Sequence, residues 1–421
     1  MISIDTLSRA SLRAFDPVAA PLPRLDAFAA ESVRFEHALS TASWTLPAHA
    51  SVMTGVYPHH HGATDPRVLM NPDIPTLAGS LRDLGYETIA VTGGGFVGDG
   101  YGIERGFDRY DPWRFADGSF AKAAATPFDR AIERVRDRAT PDHPLFLFAH
   151  TYSVHDYFDV HEWAAASLAA APERTPAMLR RCLIDATLCG DADWVTLRAL
   201  YAAELLHVDA AFGHLLDGLA AAGVLDDAVV VVISDHGEGF DPERQRIHHG
   251  GRLHADVLRV PLLIRAPGVA PRSVAMPVSL VDLFPTLLAL AGGPAPPGLD
   301  GVSLVPALRG EPIDADRPLL AEEHAFQWWS GVRIQTREVQ AAPLARAVIR
   351  GDLWYIEQRD AGVVYDMATD PAQQHPLPAD DPVYTELRAI AALRITDRVQ
   401  TQSHEPDADL EGQLRALGYV E

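Results

Sequence analysis

Val229-Val230-Val231-Val232-Ile233-Ser234-Asp235-His236-Gly237-Glu238 is the stretch on which the fold turns. Its first five residues are all β-branched, stiff at χ1, and bounded by Asp226-Asp227 before and Ser234-Asp235 after. Such a run reads as a strand buried on both faces. Burial on both faces belongs to a sheet covered by helices, not to a sheet with one face in water. The residues that follow carry chemistry. One carboxylate and one imidazole projecting from the end of a rigid strand are what a metal ion needs. Taken alone, the same string is also compatible with an Asp-capped turn bearing a solvated His.

Working outward, Ile2-Ser3-Ile4 is a short strand ending at Asp5, and Leu145 to Ala149 is an apolar strand ending at His150. Thr88 to Thr92 and Pro261 to Ile264 complete the strand set. Helical periodicity runs through Leu25–Phe28, over Leu77 to Leu84 with Gly85 as its stop, over Tyr201 to Ala222 with Gly223 as its stop, and over Leu280 to Ala291. Strands alternating with helices predict a layered α/β domain, whose ligands gather at the carboxyl ends of the strands. Asp5, His150 and Asp235 share that placement, which puts one site there. Beyond about Pro318 the strands shorten (Ala347-Val348-Ile349, Trp354-Tyr355-Ile356), then a C-terminal helix follows. The expected division is a catalytic domain over 1–316 and a smaller α+β subdomain over 317–421.

Composition excludes several classes. A formal net charge of −22 argues against a broad nucleic-acid footprint. No uninterrupted apolar run reaches the roughly 18 residues that a membrane span needs. The opening Met1-Ile2-Ser3-Ile4-Asp5 has no basic leader before an apolar stretch, so the expected location is the cytoplasm. Two cysteines, Cys182 and Cys189, lie close together in a helical-looking segment and are expected as reduced structural thiols.

A second stretch, Ser43-Trp44-Thr45-Leu46-Pro47-Ala48-His49-Ala50-Ser51-Val52-Met53-Thr54-Gly55, looks like a turn entering a helix, with Pro47 suited to its first turn. It resembles the nucleophile segment of the sulfatase family, in the alkaline phosphatase superfamily. There a Cys or Ser precedes a Pro by two residues, an Arg follows two residues after it, and Thr-Gly closes. Thr45 takes the nucleophile position and His49 that of the Arg. Asp235-His236-Gly237-Glu238 and Asp5 resemble the family's metal segments, with Thr6 where a second Asp is common. Val281 to Thr286, Asp300 to Leu304, Val364 to Pro371 and Leu414 to Tyr419 resemble further landmarks, so the likeness runs the length of the chain. It implies a three-layer α/β/α sandwich with a mostly parallel sheet. It also implies a divalent metal held by Asp5, Thr45, Asp235 and His236. These oxygen and nitrogen donors suit Mn²⁺, Mg²⁺, Zn²⁺ or Ca²⁺, one ion or two.

The usual sulfatase nucleophile is a formylglycine, an aldehyde made at the β-carbon of Cys or Ser. Threonine carries a methyl there and cannot give it. The resemblance therefore implies that Thr45 attacks as an activated hydroxyl, as in phosphoryl-transfer relatives. His49 is expected to stabilise the substrate's non-bridging oxygens, and His155 or His249 to assist the leaving group. His248 and His254 stay open between site and surface, and His60 and His61 are expected as a solvated pair. The expected activity is hydrolysis of a small anionic ester through a covalent Thr45 intermediate, with phosphate mono- or diesters and phosphonates ahead of sulfate. Transfer of the group to an alcohol, and a non-catalytic scaffold, are the alternatives.

Overall fold

A computed structural model describes the chain except residues 114–125, 156, 159–160, 172, 325–341, 359–360, 397, 404–409 and 413–421. The main sheet has eight strands: β1 (Ile2–Ile4), β2 (Val33–Phe35), β3 (Glu87–Thr92), β4 (Arg109–Pro112), β5 (Leu145–Thr151), β6 (Val230–Ile233), β7 (Leu262–Arg265) and β8 (Arg272–Val274). Their spatial order is β8-β2-β7-β6-β1-β5-β3-β4. Pairing is parallel except on the two sides of β7, which runs antiparallel to β2 and β6. β1 lies between β5 and β6, so Asp5, His150 and Asp235 come to one end of three adjacent strands.

Side-chain alternation builds three layers. On one face Val230 and Val232 join Ile2, Ile4, Leu147 and Ala149 under α1 (Pro23–Ala30) and the long helix Asp191–Ala221. On the other face Val231 and Ile233, with Phe146 and Phe148, meet α2 (Thr45–Thr54) and the helix Leu283–Leu290. The continuous apolar run in β6 is explained: both its faces are core. The fold is the α/β/α sandwich expected.

α2 is wholly buried and stops at Gly55, whose φ of 70° puts it in the left-handed region while its N–H caps Ser51 O. A Cβ there would lie 2.8 Å from Phe284, so a side chain is excluded on two grounds. The Asp191–Ala221 helix begins well before the expected Tyr201. Its extra turns carry Trp194, which is buried in the core.

A second, antiparallel sheet follows in the order β9 (Leu319–Glu323), β10 (Ala345–Arg350), β11 (Leu353–Gln358) and β12 (Ala361–Asp366). The helix Pro382–Arg394 buries Leu387 and Ala391 against Val348, Tyr355 and Val364 of that sheet. Leu414 to Tyr419 lies outside the described residues. No described helix is long and apolar enough to cross a membrane.

Two expectations are corrected. Cys182 and Cys189 are joined as a disulfide, with Cα atoms 5.3 Å apart, instead of standing as separate thiols. The Pro176–Ile184 helix ends before the second cysteine, and the turn over Ala186–Leu188 brings the two together. His60 is exposed and bonded to Asp300, but His61 is fully buried with its Nε2 3.1 Å from Ser51 Oγ.

Candidate active site

The site is assembled from three strand ends and one helix start. Asp5 follows β1, and its N–H bonds Thr151 O at 3.0 Å, which fixes the carboxylate against β5. Thr6 takes the turn with φ of 56°, a left-handed conformation uncommon outside glycine. Asp235 and His236 follow β6. Gly237 then passes under the backbone of the loop after Leu253, donating to Val257 O at 2.8 Å. A Cβ at Gly237 would stand 2.3 Å from Asp256 O, so only glycine allows this approach. Thr45 opens α2, a helix whose first turn has no side-chain cap.

Thr45 Oγ1 donates to Asp5 Oδ2 at 3.2 Å and lies 3.4 Å from His236 Nε2. Asp5, Asp235 and His236 are fully buried, with ligand-capable atoms within 4.8 Å of one another. Asp5 Oδ1 and both Asp235 oxygens lack hydrogen-bond partners. Two buried carboxylates with three oxygens that lack hydrogen-bond partners form a group that could hold a cation. The donor set fits a divalent metal.

Burial, and next the negative charge of Asp235, raises the Asp5 carboxyl well above the usual range. Burial pushes Asp235 upward too, but His236, His49 and His150 together bring it below its ordinary value.

A second group, His155, His248 and His249, also has ligand-capable atoms within 4.8 Å of one another. The His236 and His249 rings, 4.2 Å apart, join it to the first. His248 Nδ1 accepts the backbone N–H of His249 at 2.9 Å, so the proton between the two Nδ1 atoms, 2.7 Å apart, belongs to His249. That same Nδ1–H faces Glu238 Oε2 at 2.7 Å. The Nε2 of His249 then carries the lone pair. Burial, then neighbouring imidazoles, drives His248 and His249 well below the usual imidazole range, and takes His155 to about 3. All three are neutral bases at pH 7.

Every sequence-predicted site residue (Asp5, Thr45, His49, His155, Asp235, His236 and His249) is buried in this one region. His49 differs in role. Its Nδ1 donates to Thr45 O at 3.0 Å and its Nε2 accepts from Ser3 Oγ at 3.0 Å. Burial lowers its pKa, so the ring is neutral and has no N–H left for a substrate oxygen. The histidine at the Arg position thus links the nucleophile turn to β1, and its Nδ1 also lies 3.4 Å from Asp235 Oδ2. His248, left open by the sequence, belongs to the site. His254 faces Tyr365 and belongs to neither group.

Ser3 and Glu238 were given no role from sequence, and His150 was placed at the site without one. Ser3 orients His49. Glu238 orients His249 and accepts from Tyr157 Oη at 3.2 Å. Its signal was its place in the Asp235-His236-Gly237-Glu238 string. His150 accepts the Gly93 N–H on Nδ1 at 3.2 Å, so its Nε2–H points toward Asp5 Oδ2, 3.6 Å away.

The sulfatase family model matches residues 1–293. The chain belongs to the sulfatase family and is an ester hydrolase. It is similar to the choline-sulfatase of Rhizobium meliloti, 26% identical over 83% of this chain and 76% of that one. A Δ4,5-hexuronate-2-O-sulfatase of Bacteroides thetaiotaomicron is 23% identical across 100% of this chain and 93% of its own. Among solved structures, a phosphonate monoester hydrolase of Agrobacterium radiobacter superposes with a TM-score of 0.72 at 21% identity, covering 93% of each chain. The superposition with that hydrolase shows a shared fold over nearly the whole of both chains.

Proposed function

We propose that the chain hydrolyses phosphate mono- or diesters, or phosphonate esters, through a covalent intermediate on Thr45. The observation that carries the reading is the fully buried Thr45 hydroxyl, 3.2 Å from Asp5 Oδ2 and 3.4 Å from His236 Nε2 at the start of a helix. Asp5, Asp235 and His236, with Thr45 Oγ1, would hold a divalent ion. Such an ion supplies positive charge that acidifies a neighbouring hydroxyl and offsets charge on the transferring group. Mn²⁺, Mg²⁺, Zn²⁺ and Ca²⁺, as one ion or two, are told apart by metal analysis.

Thr45 Oγ1 attacks phosphorus, and the Oγ–P bond forms as the P–O bond to the leaving alcohol breaks. The hydroxyl proton has an acceptor already in place at Asp5 Oδ2. The positive end of the α2 dipole favours negative charge beside Thr45, and the Nε2–H of His150 steadies Asp5 Oδ2. Water then attacks the threonyl phosphate and gives its proton to His249 Nε2, whose Nδ1–H is anchored on Glu238; the Oγ–P bond breaks, and the threonine oxygen takes back its proton from Asp5. His155 lies beside this base, ring centroids 5.0 Å apart. A resting His249 without a proton leaves the first step dependent on the leaving group, so activated aryl esters should outrun alkyl esters.

Sulfate esters are the second reading, favoured by the names of the curated relatives. The methyl of Thr45 weighs against it, because the aldehyde route that expels sulfate by elimination is closed. Turnover of p-nitrophenyl phosphate, bis-p-nitrophenyl phosphate and p-nitrophenyl sulfate, with and without chelator, separates the two. The reading expects metal-dependent phosphoester release that Thr45→Ala abolishes. Sulfate release alone would replace it.

A further inference from the structure

We infer that Glu323, contributed by the second sheet, is a positioning residue that locks the Thr45 loop to the His248–His249 loop. The inference deepens the proposed function, since those two loops carry the nucleophile and the base.

Glu323 ends β9 and is 1% exposed. Its Oε2 accepts the Ser43 hydroxyl at 2.5 Å and the Gly251 N–H at 3.2 Å. Ser43 O in turn accepts the Gly250 N–H at 2.9 Å, closing a ring of three hydrogen bonds. Ser43 stands two residues before Thr45, and Gly250 directly follows His249. Gln358 of β11 holds the other side of the same peptide segment, its Nε2 donating to Gly251 O at 3.4 Å. One sheet therefore grips both the N–H and the C=O of Gly251.

The gripped loop needs an external hold. His248, Gly250 and Gly251 all have left-handed backbones, with φ of 68°, 76° and 67°. A histidine in that region is unfavourable by itself, and such conformations persist where the surroundings over-determine them. Without Glu323 two of the three bonds in that ring are lost, and the single Gly250 N–H bond to Ser43 O is left to hold the His249 ring in register with Thr45. Neighbouring strand residues point to opposite faces, and Glu322 shows the difference. It is buried equally but bonds His59 Nδ1 at 2.5 Å and His324 Nε2 at 2.9 Å, away from both loops.

The test compares Glu323→Ala, Glu323→Gln and Glu322→Gln in the full chain, with kcat and KM on p-nitrophenyl esters, thermal melting, and amide hydrogen exchange of the 248–252 segment. Glu323→Ala is expected to lose roughly 10²-fold in kcat, the scale of a 1 Å misplacement, with KM nearly unchanged. Exchange at Gly250 and Gly251 should accelerate. Glu323→Gln keeps an acceptor oxygen and should recover most of both losses. Glu322→Gln should lower the melting temperature and leave kcat alone. The inference is overturned if Glu323→Ala keeps its exchange protection, if Glu323→Gln is as damaged as Glu323→Ala, or if kcat falls in step with melting temperature across all three. The exchange readout holds even for a chain that turns over none of these esters, so failure of the proposed function and failure of the positioning role are separable.

Discussion

Removing the charge of Glu322 should weaken the protein by an amount that depends on pH in a defined way. Burial raises this carboxyl, but its hydrogen bonds to His324 and His59 outweigh burial and hold it at about 2, against an ordinary 4.5. A depression of about 2.5 units corresponds to about 3 kcal/mol of stability. Because the folded pKa is the lower one, that contribution is complete above about pH 4.5 and is lost as the pH falls toward 2. Roughly half of it remains near pH 3. Glu322→Gln lacks the contribution at every pH. Urea unfolding of both proteins from about pH 6 to pH 3 should show the stability gap closing from about 3 kcal/mol to about half that. A gap that stays constant with pH, or is absent near pH 6, would refute the argument that the His59–Glu322–His324 bonds stabilise the ionised form.

Other consequences of the geometry are open to direct measurement. Removing divalent ions with a chelator should lower the melting temperature, since Asp5 and Asp235 would share a buried space uncompensated. Restoring an ion to about 100 times its dissociation constant should return about 2.7 kcal/mol. Equal melting curves with and without chelator would count against a metal at this pair. Gly237→Ala must move its Cβ away from Asp256 O at 2.3 Å. The displaced Asp235-His236 turn should cost metal affinity at least tenfold, read by titration calorimetry, and retained affinity would show that the loop can yield. Thr45→Ser keeps the hydroxyl and gives up one buried methyl, about 1 kcal/mol of stability. Its turnover should stay within about tenfold of the parent, and an inactive, well-folded Ser variant would contradict a simple alkoxide attack.

Much of this architecture was legible because it rests on local signals. The run Val229–Ile233 could only be a strand with two buried faces, and the structure sets Val230 and Val232 against one helical layer and Val231 and Ile233 against the other. Polar residues directly after strands, Asp5 and Asp235, pointed to the strand ends where the structure brings them together. What the sequence could not supply were contacts between distant segments. The bond from Glu323 to Ser43 spans 280 positions, and nothing near either residue signals it. The contacts of His49 were hidden for a similar reason. Its motif position suggested a substrate contact, and the hydrogen bond from Ser3, on β1, to its Nε2 comes from 46 positions away. The Cys182–Cys189 pairing depends on a turn whose path the helical reading of that segment concealed.

The central claim is that Thr45 becomes covalently attached to the group it transfers. The most direct measurement is an acid quench during turnover of p-nitrophenyl phosphate, followed by peptide mass spectrometry. The account predicts one added phosphoryl group on the peptide containing Thr45, absent in Thr45→Ala and absent without divalent metal. Continued turnover by Thr45→Ala, or a phosphoryl group on a different residue, would contradict it.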